Sequence, residues 1–284
     1  MIVCYAAGGG LGHLTRARAF LHTVHPGREA VILTSSPFAA DPRVVGPHRT
    51  VGPPPGADPG PWFVSALRDL APTELVVDAF PGGRYGELTA ASVPASVGSV
   101  THLARLLRWT RYRAVATGPL PRFDRTWLLE PLTADHHADL AATSGVMAPL
   151  DLVDPPGGSP GGGPALDDGA WLVVHSGPAA EVAELVGYAA ETAALEGVRP
   201  RLVLVSPVAH PGVDRLDVYP AWPLFAGAAR IVTAAGCNVV RQTTPWRDRH
   251  RMVPFPRLFD DQFTRAARAR RSTPPPTGPP DRGP

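Results

Sequence analysis

IVCYAAGGGLGHLTRARAF, residues 2–20, runs an apolar strand into a glycine cluster and then into a helix. The apolar run is Ile2 to Ala7, the cluster is Gly8, Gly9, Gly10 and Gly12, and His13 follows. From Leu14 the pattern is helical, with Leu14, Ala17, Leu21 and Val24 on one face. Glycines at a strand-to-helix turn let the backbone approach a ligand closely, and the first N–H groups of the helix point at it. A histidine at the mouth of such a turn adds a group that titrates near neutral pH. The expectation is a loop for a phosphate or sugar group with His13 as a candidate base. The plain alternative is a tight turn with a surface histidine, but a turn alone does not need four glycines.

Outward from this stretch, residues 1–154 alternate strand and helix patterns. AVILTSS (30–36) and ELVVDAF (74–80) are continuous in apolar residues and predict buried parallel strands. A weaker strand is expected near Thr50, a helix over Trp62 to Leu70, and a later strand at TWLLEPL (126–132). PPGGSPGGGPALDD (155–168) breaks the pattern and predicts a linker. Residues 169–271 repeat it. WLVVHSG (171–177), RLVLVSP (201–207), RIVTAAG (230–236) and MVPFP (252–256) predict strands, and Phe259 to Arg271 a terminal helix. The tail 272–284 holds six prolines and is expected to be disordered. The class is α/β, with two Rossmann-like domains facing a cleft. Ligands in such sheets bind outside the carboxyl ends of the strands, where the small residues of this chain gather.

Composition narrows the chemistry. The chain has 284 residues, net charge +2 and no lysine, so all 27 basic residues are arginine. A Walker-type phosphate loop, pyridoxal phosphate and Schiff-base catalysis all need lysine and are excluded. Cationic contacts must come from arginine, histidine or backbone N–H groups. The small net charge gives no footprint for nucleic acid. Two cysteines, Cys4 and Cys237, make neither a disulfide framework nor a zinc site. The chain opens without a signal-peptide pattern and has no spanning apolar run, which predicts a cytoplasmic protein. A peripheral contact at the inner membrane face stays open.

Further residues stand at strand ends. Asp78 closes a buried strand and is placed to orient His13 as a base–orienter pair, or else to bond turn N–H groups before Pro81. Glu87 is expected to support the local loop. Ser176 and Gly177 form a phosphate seat or a helix cap, and His175 a satisfied strand histidine. Gly236, Cys237 and Asn238 repeat the strand–turn–helix geometry, with Gln242 a turn further on. Asp260, Asp261 and Gln262 open the last helix. His136 and His137 are expected at the surface, and the basic run Arg247 to Arg251 as a solvated face or a contact for an anionic acceptor. No metal-ligand spacing occurs, and no metal is expected. A dinucleotide fingerprint fails at His13, where the last glycine would stand, and the second strand ends without an acidic residue for a ribose.

GGGLGHLTRARAF resembles the GG-x-GH loop of GT-B glycosyltransferases. It is most similar to the bacterial group of the peptidoglycan lipid-intermediate N-acetylglucosaminyltransferase and its relatives. VVDAFPGGRYGEL, HSGP, VYPAWPLFAGAARIVTAAGCNVVRQT and FDDQFTRAA resemble further segments of that kind in the same order. The resemblance implies transfer of a sugar from a nucleotide-sugar donor, UDP-linked in this group, to an acceptor hydroxyl with inversion and without a metal or other cofactor. The acceptor is then lipid-linked or a small metabolite. Gly9, Gly10, Gly12 and His13 would face acceptor and pyrophosphate, with His13 as base and Asp78 its partner. Ser176 and Gly177 would sit near phosphate, Val218 and Tyr219 by the base of the nucleotide. Gly236, Cys237 and Asn238 would meet the diphosphate, and Asp261 and Gln262 the sugar hydroxyls. Gln242 stands where the group has a ribose-gripping glutamate, and Arg265 where it has an asparagine. A nucleotide-sugar hydrolase or epimerase, or a non-catalytic subunit of a split transferase, are the alternatives on the same fold.

Overall fold

The computed structural model describes residues 1–157 and 166–271. The linker and tail expected from composition fall largely on residues 158–165 and 272–284, outside the described residues. The chain divides into two compact units. Among the described residues the first comprises 1–157 with 217–223 and 257–261; the second comprises 166–216, 224–256 and 262–271.

In the first unit the order is β1 (Ile2–Tyr5), α1 (Leu11–Val24), β2 (Ala30–Leu33), α2 (Pro42–Val45), β3 (Arg49–Val51), α3 (Pro59–Leu70), β4 (Glu74–Asp78), β5 (Ser99–Ala104), α4 (Trp109–Arg113), β6 (Phe123–Leu128), α5 (Ala134–Thr143) and β7 (Ser144–Pro149). The seven strands form one parallel sheet in the order β3-β2-β1-β4-β5-β6-β7. β1 is buried at every position because both of its faces are covered. On one face Ile2, Cys4 and Val76 pack with Leu14, Ala17 and Leu21 of α1. On the other, Val3, Tyr5 and Val77 pack with Phe63 and Leu67 of α3. Asp58 caps α3 through a hydrogen bond accepted from Gly60 N, with Pro59 at the first helical position. The strand order reverses between β1 and β4, the position beyond whose carboxyl ends ligands bind in sheets of this kind.

The second unit contains β8 (Trp171–Val174), α6 (Ala179–Leu195), β9 (Leu202–Val205), β10 (Asp214–Leu216), β11 (Arg230–Ala234), α7 (Cys237–Gln242), β12 (His250–Val253) and α8 (Gln262–Arg271). Its five strands are parallel in the order β10-β9-β8-β11-β12, and the reversal lies between β8 and β11. Trp171 and Val173 pack against Val182, Leu185 and Ala189 of α6. Val240, Met252, Ala266 and Ala269 form a second cluster from α7, β12 and α8. Two Rossmann-like α/β units are therefore present, as the alternation of patterns indicated.

Several local expectations are corrected. His136 is buried, not at the surface: it lies on the inner face of α5 with Leu140 one turn on, and its ring stacks on Trp109 with centroids 4.0 Å apart. The run Arg247 to Arg251 is only partly a solvated face: Asp248 is exposed and the three arginines are half-buried. Arg247 donates to Val240 O at 2.7 Å, Arg249 to Ala228 O at 2.8 Å, and His250 is buried at the start of β12. The arginines satisfy carbonyls at helix and strand ends. The last strand begins two residues earlier than MVPFP, and α8 begins at Gln262 instead of Phe259.

Candidate functional site

At the reversal of the first sheet, β1 delivers the glycine loop and β4 delivers Asp78. Gly10 stands at the N-cap of α1 with no side-chain cap. A Cβ at Gly9 or Gly10 would meet nothing, so that stretch of backbone is open to an approaching ligand. Gly8 differs, because a Cβ there would overlap the His13 ring at Cδ2 and Nε2. Gly8 thus leaves the space in which the imidazole lies. Gly12 is exposed in the first turn of α1.

His13 Nδ1 lies 2.6 Å from Asp78 Oδ2. Asp78 is fully buried, and Arg16, one helical turn after His13, grips it with Nε at 2.5 Å from Oδ1 and Nη2 at 2.8 Å from Oδ2. Arg16 is itself only 3% exposed. Burial works against the Asp78 charge, but the Arg16 guanidinium and His13 outweigh it and hold the carboxyl well below the usual carboxylate range. An ionised carboxylate only accepts, so Nδ1 of His13 carries the hydrogen and donates it. The lone pair of the neutral ring is then on Nε2. Burial lowers the His13 pKa, Asp78 pulls the other way, and the Arg16 and Arg105 charges add to the lowering. The ring is therefore a neutral base at pH 7.

Phe80 covers the imidazole, with ring centroids 5.4 Å apart. It reaches that place because Ala79 takes φ +69°, a left-handed conformation costly for a residue with a Cβ. Phe80 is held by Tyr112 and Phe259, at centroid distances of 5.7 Å each, and Arg105 lies over its ring. Arg105 pairs with Asp260. Glu87 accepts from Tyr5 Oη and from Tyr85 N, pinning the loop after Phe80 from below. Its carboxyl pKa is raised by burial.

At the reversal of the second sheet stand Ser176 and Gly177, after β8, and Gly236, Cys237 and Asn238, after β11. Ser176 is exposed and does not cap α6, whose N-cap is Pro178 without a side-chain bond. His175 is buried and bonded to Glu181 Oε2 at 2.7 Å, as a satisfied histidine should be. Gly236 is the N-cap of α7 and Gln242 its last residue. Arg265 donates to Ala235 O at 2.9 Å, directly before that turn. Gln262 is buried and its Oε1 accepts from Phe255 N at 3.0 Å, while Asp261 is half-buried. Val218 and Tyr219 group with the first unit, and Tyr219 Oη lies 2.9 Å from Thr15 Oγ1 on α1. Neither cysteine is in a disulfide. No cluster of three or more His, Cys, Asp or Glu able to hold a metal occurs among the described residues, nor a helix long and apolar enough to cross a membrane.

The structure thus joins His13 to Asp78 and sets Ser176–Gly177 and Gly236–Asn238 just after the neighbouring strands β8 and β11. Arg16 and Arg105 are additions that the sequence reading missed. Arg16 was within reach of it, because residues three apart on a helix share a face.

No family model matches the chain, and no curated protein matches it. Solved structures do share its fold. The glycosyltransferase SnogD from Streptomyces nogalater aligns over 86% of this chain and 78% of its own, at 15% identity and TM-score 0.53. SsfS6, a glycosyltransferase of Streptomyces sp. SF2575, aligns over 94% and 84%, at 11% identity and TM-score 0.59. The spinosyn rhamnosyltransferase SpnG aligns over 90% and 81%, at 16% identity and TM-score 0.54. The fold is the two-Rossmann-unit fold of GT-B glycosyltransferases.

Proposed function

We propose that this chain, folded like those glycosyltransferases, transfers a sugar from a nucleotide-sugar donor to an acceptor hydroxyl. The observation that carries the reading is the His13–Asp78 pair, 2.6 Å apart at the reversal of the first sheet. A shared fold alone does not give an activity; an oriented neutral imidazole beside an open glycine loop gives it a chemistry. Nε2 of His13 takes the proton of the acceptor hydroxyl as its oxygen bonds to the anomeric carbon. The bond from that carbon to the diphosphate breaks, and the electron pair leaves with the nucleotide. Attack opposite the leaving group inverts the anomeric centre.

In the second unit the turns after β8 and β11 are the donor's seat in this reading, with Ser176, Gly177, Gly236, Cys237 and Asn238 at the phosphates. Gln242 bonds the ribose without the charge assistance a glutamate would give. Asp261 and Gln262 are assigned to the sugar, and Val218 and Tyr219 to the nucleotide base. No metal or other cofactor enters the scheme. The donor is UDP-linked, and the acceptor is lipid-linked at the inner membrane face or a small metabolite in the cytoplasm.

Calorimetry with UDP, dTDP, GDP and NAD tests the donor class. Selective binding of one nucleoside diphosphate is expected; binding of NAD alone overturns the reading. With the donor known, His13→Ala should reduce turnover by about 10²–10⁴-fold while nucleotide binding persists. Unchanged turnover removes the base assignment. Gly8→Ala tests the same ring by steric means. Its Cβ displaces the imidazole from Asp78, and turnover should drop on the order of 100-fold. The ring is held between Asp78 and Phe80, and its displacement takes a partner from a buried carboxylate, so the thermal midpoint should fall as well. A wild-type rate in Gly8→Ala counts against the placement of the ring.

A further inference from the structure

We propose that Arg16 is the positioning residue of this site: it holds Asp78 as an anion with one oxygen turned to His13 Nδ1, and so fixes Nε2 as the basic nitrogen. The inference rests on the reading of His13 as the base. Its grounds are geometric. The two Arg16 nitrogens meet the two Asp78 oxygens at 2.5 and 2.8 Å, side by side, as a planar guanidinium meets a carboxylate. Arg16 and Asp78 are both buried, so neither group can turn to water for a substitute partner. Arg16 Nη2 also lies 3.3 Å from His13 Nδ1. Both of those nitrogens are donors here, so this contact is a meeting of two positive edges, not a hydrogen bond.

The charged groups facing the imidazole are Arg16 from α1, Asp78 from β4 and Arg105 after β5, the last paired with Asp260. Phe80 and the backbone at Gly8 supply the rest of its walls. With Arg16 present, the Asp78 charge is shared, and it orients the ring without trapping a proton on it. Without Arg16, the whole carboxylate charge faces His13 and favours the imidazolium, which is useless as a base. The same spacing accounts for why His13 and Arg16 lie one turn apart on α1.

The test is imidazole ¹⁵N NMR across pH on the full chain, with the His13 signals assigned by their absence in His13→Gln. In the wild type at pH 7.5 the ring should be neutral, with hydrogen on Nδ1. In Arg16→Gln the His13 midpoint should rise by about one pH unit or more, as removal of a cation at this distance requires. An unmoved midpoint in a folded Arg16→Gln chain overturns the proposal. Should that variant fail to fold, the wild-type spectrum still decides, since a hydrogen on Nε2 in the neutral ring, or an imidazolium at pH 7.5, overturns it equally. The measurement uses no donor or acceptor. A chain that titrates as stated but transfers no sugar refutes the transferase reading and leaves the Arg16 role standing.

Discussion

Acidification from pH 7 to about pH 5 is expected to remove on the order of 2 kcal/mol of stability through each of His102, His136 and His250. All three are buried. Burial is the main cause of their lowered pKa values, from 6.5 in a solvated ring to about 3, 4 and 3 respectively. His136 also disfavours the charge on His102. His250 has a further reason. Arg247 Nη1 lies 3.0 Å from its Nδ1, and a guanidinium only donates, so Nδ1 accepts and Nε2 donates to Thr233 Oγ1 at 2.8 Å. Protonating Nδ1 would set a new N–H against that guanidinium. The sign follows from which state binds the proton first. The unfolded chain protonates these rings near pH 6.5 and the folded chain only near pH 3–4. Their neutral burial is thus fully tolerated above pH 6.5 and penalised progressively as the pH falls toward the folded values. Domain stabilities of about 5–15 kcal/mol leave little reserve. Tryptophan fluorescence and circular dichroism against pH should show loss of structure centred near pH 5. His102→Phe, which replaces one ring with an apolar one against Phe123, should move the midpoint lower. A chain still folded at pH 4 would show that the rings do not carry this penalty.

Much of the fold was legible in the sequence because both faces of the central strands are covered. IVCY, AVIL, WLVV and LVLV are continuous apolar runs, ELVVD and RIVTA are mostly apolar, and each is a strand. β5, SVTHLA, escaped notice because Thr101 and His102 interrupt the run, although both are buried. β7, SGVMAP, is an edge strand with half-exposed positions and lacks a strong signature. His136 was misread for a related reason. Polar residues signal surface unless their partners are known, and its partner, Trp109, lies far back in sequence. The arginines of Arg247–Arg251 were misread because their carbonyl acceptors at Ala228 and Val240 come from tertiary structure. In the site, His13 and Asp78 were legible from strand ends alone. Arg16 was within reach once Asp78 had been paired with His13 one turn away, but a charged side chain is expected at the surface until its carboxylate is set beside it.

Removing that carboxylate should be the most damaging single change to the first unit. In Asp78→Ala the Arg16 guanidinium stays 3% exposed or must break out of the packed face of α1, and either course is costly. Breaking a buried pair from one side typically costs about 3–5 kcal/mol. Asp78→Asn keeps the volume but offers one acceptor oxygen where three nitrogens now converge, and its amide hydrogens face donors. It should destabilise by a smaller amount, roughly 1–3 kcal/mol. The pair itself is a different matter. Two charges taken from water recover little net energy from each other, so an apolar pair of similar volume can be as stable or more so. Arg16→Met with Asp78→Leu should therefore recover most of the loss seen in Asp78→Ala, read as the urea midpoint of the first unit. Activity should not return with it, because Nδ1 of His13 then has no acceptor and the ring is free to rotate. A double variant as unstable as Asp78→Ala would mean that the pair stabilises the fold outright. Recovery of stability without activity would mean that the buried charges are retained for the orientation of His13, at a site where an apolar core would fold as well.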